Sequence, residues 1–310
     1  MSRLAAIDLL TIGEAFEDLI FYGLPRMPGT GEEVKTSSFA ATIGGGAVTT
    51  AIAGARLGLR AAILSGLHPA AVRRLRAERV QVRNVRRPGE AHAITAAFST
   101  RRDRSFVTFN GINDRIEPRL AAAAREWTPA RMKHVHFALA PTTFSRWITI
   151  VDRLRAGNVT TSWDFGWHPF LCGSSGFRQL VSRLDILFLN EAESRLYARE
   201  CRMARALAIK LGARGSRWIA GDLDVRVPAP RVPVVDTTGA GDAFNGGFLS
   251  AFLDGRPPRE CLRLGNSVGA QSTLAPGGID ALPTRLTLPA LPAQPSPPTC
   301  PTPSTRRIRP

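Results

Sequence analysis

The sequence predicts an α/β domain: a central, mostly parallel sheet flanked by helices. Three observations predict it. Strand-like runs alternate with helical patterns along most of the chain. Stretches such as Ile186-Leu187-Phe188-Leu189 are apolar at every position, as a strand buried on both faces should be. With 310 residues, 44% of them hydrophobic, the chain can bury a sizeable core as one large domain or two small ones.

Residues 6–12 read as a first strand. Gly13-Glu14-Ala15-Phe16-Glu17-Asp18 follows, then a β-rich piece at 19–22. An acid just past a first strand is placed either to line a ligand crevice, as Asp18 would, or to sit as a solvated turn carboxylate. Residues 25–31 form a loop and 33–42 a short strand. Gly44, Gly45 and Gly46 then lead into a helix that runs to Gly58, and they allow close approach to its start. Strand 61–66 and helix 69–78 come next. Residues 91–100 and 105–110 form a hairpin joined by Arg101-Arg102-Asp103-Arg104. Its far tip, Asn110-Gly111-Ile112-Asn113, is either a substrate contact or an ordinary Gly/Asn turn.

Helix 121–127, strand 134–139, helix 143–156 and strand 159–165 continue the alternation. The buried strand 185–189 then meets Asn190-x-x-Glu193, which has the spacing of a helix capping box. Only about a dozen residues separate that helix start from the next strand, 206–210, which runs into a glycine turn at Gly212 and Gly215. Residues 218–227 give a hairpin-like stretch and 260–275 one more helix, ending at Pro276-Gly277-Gly278.

The chemistry concentrates in Val234-Val235-Asp236-Thr237-Thr238-Gly239-Ala240-Gly241-Asp242-Ala243-Phe244. The β-branched start reads as the end of a strand. The small residues read as a tight turn, and Phe244, Phe248, Leu249 and Phe252 as one face of a helix. The amides of Gly239, Ala240, Gly241 and Asp242 would then point out of a helix N-terminus, where anions bind. Asp242 is either a helix cap or a base. A carboxylate beside an anion site makes sense if it takes a proton from a hydroxyl that attacks a bound phosphoryl group.

This string resembles the C-terminal signature of the ribokinase/PfkB family of carbohydrate kinases, and the resemblance spans residues 6–284. It implies a ribokinase-like three-layer α/β/α sandwich with a mostly parallel central sheet and a small β lid, built from about 16–42 and 91–110. It implies ATP-dependent phosphorylation of a hydroxyl on a sugar or sugar-like substrate. Asp242 would be the catalytic base and Gly239, Ala240 and Gly241 the anion hole. Asp18, Gly44, Gly45, Gly46, Thr49 and Asn110 would hold the acceptor; the family usually has Asn where Thr49 stands. Asn190, Lys210, Gly212, Gly215, Asn266 and Gly277 would hold the nucleotide. Asn190 and Glu193 would lie in the outer coordination sphere of Mg²⁺, and Asp236 and Thr238 at the K⁺ site that some members have. A family member would also be expected to carry one more helix between Glu193 and Lys210. Family members can pair through their lids as homodimers. A nucleoside kinase of the same fold and a non-catalytic sugar or nucleotide sensor are the alternatives.

The remaining features bound the reading. A net charge of +16, almost all arginine, is spread along the chain, and no nucleic-acid module appears, so no nucleic-acid partner is expected. Four scattered cysteines suggest neither disulfides nor zinc. His134 and His136 share a strand face, as a metal pair or as two partly buried histidines. No run of about 18 apolar residues exists and the start lacks a signal-peptide core, so a cytoplasmic, non-membrane protein is expected. There is no Gly-x-x-x-x-Gly-Lys phosphate loop. From 285 to 310 the chain is Pro-rich and basic, with eight prolines and no acid, and is expected to be a disordered tail.

Overall fold

The computed structural model describes residues 6–100 and 104–288. The expected turn at 101–103 and the tail beyond 288 lie outside the described residues.

The chain runs β1 (Ile7–Gly13), β2 (Phe16–Leu24), β3 (Ser38–Gly44), α1 (Gly46–Arg56), β4 (Ala61–Ser65), α2 (Pro69–Ala77), β5 (Gln81–Asn84), β6 (Ile94–Thr100) and β7 (Arg104–Phe109). It continues with α3 (Glu117–Arg125), β8 (Met132–Ala138), α4 (Phe144–Ala156), β9 (Thr160–Asp164), α5 (Ser175–Val181) and β10 (Ile186–Asn190). It ends with α6 (Glu191–Leu196), α7 (Ala198–Cys201), β11 (Leu207–Lys210), β12 (Ser216–Ala220), β13 (Leu223–Val227), α8 (Ala240–Leu253) and α9 (Pro258–Ser272).

Nine strands form the central sheet in the order β13-β12-β11-β10-β9-β8-β1-β4-β5. Pairing is parallel from β5 through to β11 and antiparallel only at β12 and β13. Successive residues of one strand feed opposite cores. Leu187 and Leu189 join the side covered by α3, α4 and α5, while Ile186 and Phe188 meet Phe244 and Phe248 of α8 on the other. Burial on both faces explains the unbroken apolar runs. The strand order reverses about β1, whose neighbours are β4 on one side and β8 on the other. Such a reversal opens a crevice at the C-terminal ends of the strands. Gly13 is needed there, because a Cβ would strike the carbonyl of Ala138.

A second sheet, β3-β2-β6-β7, stands beside the first. Its register pairs Asp18 with Thr42 and with Thr95. Alternation therefore puts Asp18 and Ile20 on one face, and Glu17, Leu19 and Phe21 on the other.

Several expectations need correction. The run at Val234-Val235 is not a strand. Prolines at 228, 230 and 233 remove ladder donors, and the amides of Val235 and Asp236 bond instead to the Thr273 carbonyl beyond α9. The strand expected at 33–42 starts at Ser38 and runs to Gly44. The helix expected at 121–127 begins at Glu117, one residue before Pro118. The elements β5 and α5 had no sequence expectation at all. The segment after Glu193 is short but pinned. A four-residue helix, α7, stands between α6 and β11, where one more helix was expected of a family member, and Tyr197 is fully buried with its hydroxyl donating to Gly166 O at 2.7 Å. Strand β11 still pairs with β10 over four residues, so the sheet is unbroken there.

His134 and His136 are buried core residues. His134 bonds Thr160 Oγ1 and Ser162 Oγ, each at 2.7 Å, and His136 bonds Ser162 Oγ at 2.8 Å. Burial pushes their pKa values down to about 3 and about 4, so both are neutral at pH 7. Among the described residues, Cys172, Cys201 and Cys261 are free thiols and no helix is long and apolar enough to cross a membrane.

Candidate active site

Two helix N-termini meet over the crevice. Helix α8 begins after Gly239, whose φ of 70° is left-handed and favours glycine. Helix α1 begins after Gly45, with φ of 101°. They pack closely because Gly246 of α8 sits against Ala53, where a Cβ would come within 2.5 Å of the Ala53 methyl. Thr50 Oγ1 also donates to the Asp242 carbonyl at 3.1 Å.

Asp242 stands in the first turn of α8. A Cβ at Gly46 would lie 3.1 Å from Asp242 Oδ1, so the glycine loop lets that carboxylate reach the acceptor side. On the other side of the same turn, Ala240 and Gly241 line a cavity of about 520 Å³, together with Lys210, Gly212, Gly215 and Asn266. Of the four amides expected to be free, those of Ala240 and Asp242 donate within the turn, to Thr237 O and Gly239 O. Asp242 has its pKa pushed up to about 7. Burial is the main cause, the charges of Asp164, Glu193 and Asp18 add to it, and Lys210 opposes it.

Asp18 is buried at 7% exposure, with its carboxylate directly over Gly44; any side chain at 44 would collide with it. Burial, then repulsion from Asp236, raises its pKa to about 6. The three glycines thus serve distinct neighbours: Gly44 clears Asp18, Gly45 clears the Glu14 carbonyl and Gly46 clears the Ala138 methyl and Asp242. We expect Gly44→Ala to displace the Asp18 carboxylate and lower kcat/KM for the acceptor by about 10²-fold, the scale of a 1 Å misplacement. ATP affinity, measured by calorimetry, should be unchanged.

Strand ends supply the next group. Lys210, the last residue of β11, places Nζ 2.6 Å from Asp164 Oδ2, at the end of β9, and 3.4 Å from Asn245 Oδ1. Asn245 Nδ2 donates to the same Asp164 oxygen at 2.8 Å. Lys210 also lies against the amide turn, since a Cβ at Gly241 would be 3.2 Å from its Nζ. Burial works against the ammonium, but Asp164, Glu193 and Asp242 outweigh it and hold its pKa above the ordinary lysine value. Sequence reasoning missed Asp164 and Asn245. Their signals are slight: an acid at a strand's C-terminal end, and an amide three residues past Asp242 on one helical face.

Asn190 caps α6, and both halves of the capping box are present. Asn190 Oδ1 accepts from the Glu193 amide at 2.8 Å, while the two Glu193 oxygens accept from the Asn190 amide and Nδ2, each at 2.7 Å. Glu193 is buried and its pKa is raised, first by burial and then by Asp164. Each of its oxygens keeps a lone pair, so this hard-oxygen pair fits Mg²⁺ through bound water.

Other expected site residues fall differently. Thr49 is 1% exposed and packs against Gly239, under the amide turn. Asn110 is exposed and donates to Asp114 at 2.9 Å, whereas its neighbour Asn113 is buried with Oδ1 unpartnered. Asn266 lines the cavity, but its amide donates to the carbonyls of Val227 and Pro228. Gly277 is not at the cavity. It packs under the small sheet, where a Cβ would come 2.5 Å from Thr42 Cγ2, and its amide bonds Asp236 Oδ2 at 2.9 Å. Asp236 Oδ1 accepts from the Thr238 amide and hydroxyl at 3.0 and 2.8 Å. Glu14, at the end of β1, is an acid whose role the sequence did not single out; burial and Asp114 raise its pKa to about 7.

The profile of the pfkB family carbohydrate kinases matches residues 6–285. The chain belongs to this family. It is 30% identical to a ribokinase of Bacillus subtilis (strain 168) over 302 residues, 90% of this chain and 97% of that one. Its fold matches the adenosine kinase of Sinorhizobium meliloti with a TM-score of 0.71, at 25% identity over 87% of this chain and 94% of that one. It also matches a nucleoside kinase of Burkholderia thailandensis in complex with inosine, with a TM-score of 0.74, at 21% identity over 90% and 95%. This pfkB protein therefore has the ribokinase-like three-layer fold and is a kinase acting on a hydroxyl of a small sugar or sugar-like substrate. Family membership implies ATP as donor and, typically, Mg²⁺.

Proposed function

We propose that Asp242 is the general base of an ATP-dependent transfer to a sugar hydroxyl, working in the cytoplasm. One observation carries this: the carboxylate stands where a nucleotide-sized cavity meets the glycine loop that holds Asp18. Asp18 and the Gly44–Gly46 backbone bind and orient the acceptor. Asp242 takes the hydroxyl proton as the oxygen bonds to the γ-phosphorus and the bond to ADP breaks. The Gly239–Asp242 turn and Lys210 face the transferring phosphoryl group and stabilise its charge. Asn190 and Glu193 would hold Mg²⁺ through water, and the ion would supply charge neutralisation on the phosphates. Asp236 and Thr238 are assigned to a K⁺ site, so K⁺ should raise the rate. Thr49 acts from below the turn, and Asn110, exposed just past β7, is assigned to the acceptor. The small sheet is the lid.

A base with a pKa of about 7 must lose its proton to act. We expect kcat/KM to rise with pH through about 7 and then level. A pH-independent rate from 5.5 to 8 would remove Asp242 from that role. The acceptor class is read with a coupled ADP assay across sugars and nucleosides, with and without K⁺. Turnover of nucleosides alone would make this a nucleoside kinase. Binding of ATP and sugar without ADP release would make it a sensor, although the intact β10–β11 pairing supports a working nucleotide site.

The outer lid face favours a homodimer. Phe39, Val107 and Phe109 are 52%, 66% and 56% exposed on the face away from Asp18. Such an apolar patch on a sheet marks a protein interface. Val107→Asp should convert a dimer to a monomer in light scattering; an unchanged mass would show that copies pair elsewhere or not at all.

A further inference from the structure

On the back of the lid strand, opposite Asp18, lies a group that the kinase reaction does not use. Glu17 projects from β2, His92 precedes β6, and His68 follows β4 at the start of α2. These segments meet because the Glu17 amide bonds Ala93 O at 2.9 Å. His92 Nε2 lies 2.8 Å from Glu17 Oε2, and the His68 and His92 rings are stacked at 4.7 Å. Each of the three residues offers one ligand atom, and all three atoms lie within 4.8 Å of one another. Among the described residues this is the one such grouping of three.

His68 supplies a second, independent observation. It is 7% exposed, yet its Nε2 is buried with no hydrogen-bond partner. It occupies the N-cap position of α2 without making a side-chain cap bond. Buried imidazole nitrogens are normally satisfied, so an orphan one has a partner still to be found. Of the two cations near His68, Arg73 and Arg86, the second is committed elsewhere, with its guanidinium on the carbonyls of Leu67 and Glu90. Glu17 and His92 are about 30% exposed at the side chain, which leaves an approach for an ion and a water.

We propose that Glu17, His68 and His92 form a three-ligand site for a borderline divalent transition-metal ion of the Zn²⁺ type. Two imidazoles and a carboxylate with an open fourth position are the ligand set such ions take, and hard Mg²⁺ disfavours it. The ion ties lid strand β2 and the start of β6 to the β4–α2 turn of the central sheet. It sits back to back with the acceptor-binding carboxylate of Asp18, one residue along the same strand. This site therefore couples lid position to metal supply, separately from the Mg²⁺ that travels with ATP.

The test uses tag-free full-length protein, stripped with chelator and titrated with Zn²⁺ by calorimetry. Co²⁺ absorption serves as a second probe of ligand type. The expected result is one Zn²⁺ per chain, undisturbed by excess Mg²⁺, with a rise in thermal midpoint. Losing a residue that merely orients a ligand costs roughly 10–100-fold in affinity, so losing a ligand in His92→Ala should cost at least about 100-fold. His92→Ala should also abolish the thermal shift. Glu17→Gln, which keeps the shape of the strand, provides the second variant if His92→Ala does not fold. No Zn²⁺ binding by the wild type overturns the proposal. So does wild-type affinity in the variants, which would put the ion on the thiols or other histidines.

Discussion

Asp242→Asn is expected to lower kcat by about 10²–10⁴-fold or more, the typical contribution of a general base. The variant keeps the shape of the side chain and its place in the first turn of α8. It removes a group beside the cavity whose pKa, about 7, is matched to taking a proton at neutral pH. Binding of ATP should change little, because the cavity is lined by the turn's backbone and by Lys210, Gly212 and Gly215. Losing a negative charge beside the phosphates should, if anything, tighten it. The measurement pairs steady-state kinetics with calorimetry, so that kcat and nucleotide affinity are read separately. Wild-type turnover in the variant would move the base elsewhere, and Glu14 and Asp18, with pKa values raised to about 7 and about 6, would be next in line. Loss of both turnover and ATP binding would instead mean that the turn itself had collapsed.

The outlines of this site were legible because its chemistry lies in local strings. Gly44-Gly45-Gly46 and Gly239-Ala240-Gly241-Asp242 each encode a turn, a helix start and a close approach within a few residues. The central strands were legible because burial on both faces leaves unbroken apolar runs. What was not legible depends on distant partners. Asp164 and Lys210 are 46 residues apart in sequence, and nothing local marks them as a pair. Gly277 looked like a nucleotide contact, yet the turn after α9 folds under Thr42 instead. The edge strand β5 has Val82 as its single apolar residue, too little for an alternation signal, and α5 is a seven-residue helix preceded by Gly173 and Ser174. Val234 and Val235 misled because β-branched residues favour strands, while the prolines before them remove the donors a ladder requires.

Lys210→Met should be the most destabilising single change in the site. It leaves Asp164 with Asn245 and, at 3.3 Å, the Gly166 amide as its remaining partners, in a place where the carboxylate side chain is 10% exposed. Breaking a buried ion pair by removing one member typically costs about 3–5 kcal/mol, because a charge is left buried without compensation. The loss should appear as a lower urea midpoint with an unchanged slope. Its pH dependence has a definite sign. In the wild type Asp164 has a lowered pKa, with Lys210 the leading charge that offsets burial, so its stabilising contribution is present above the unfolded carboxyl pKa and lost only as pH falls through the folded one. In the variant burial acts unopposed by Lys210 and raises that pKa. Asp164 then takes a proton on mild acidification, and the gap between variant and wild type should narrow as pH falls from 7 to 5. The double variant Asp164→Asn/Lys210→Met, which buries no charge at this pair, should recover most of the loss. Activity should report the same coupling, since Lys210 lowers the pKa of Asp242 and its removal must shift the acid limb of kcat/KM to higher pH. Equal urea midpoints at pH 7 and an unmoved limb would mean that Lys210 neither holds the strand ends together nor tunes the base.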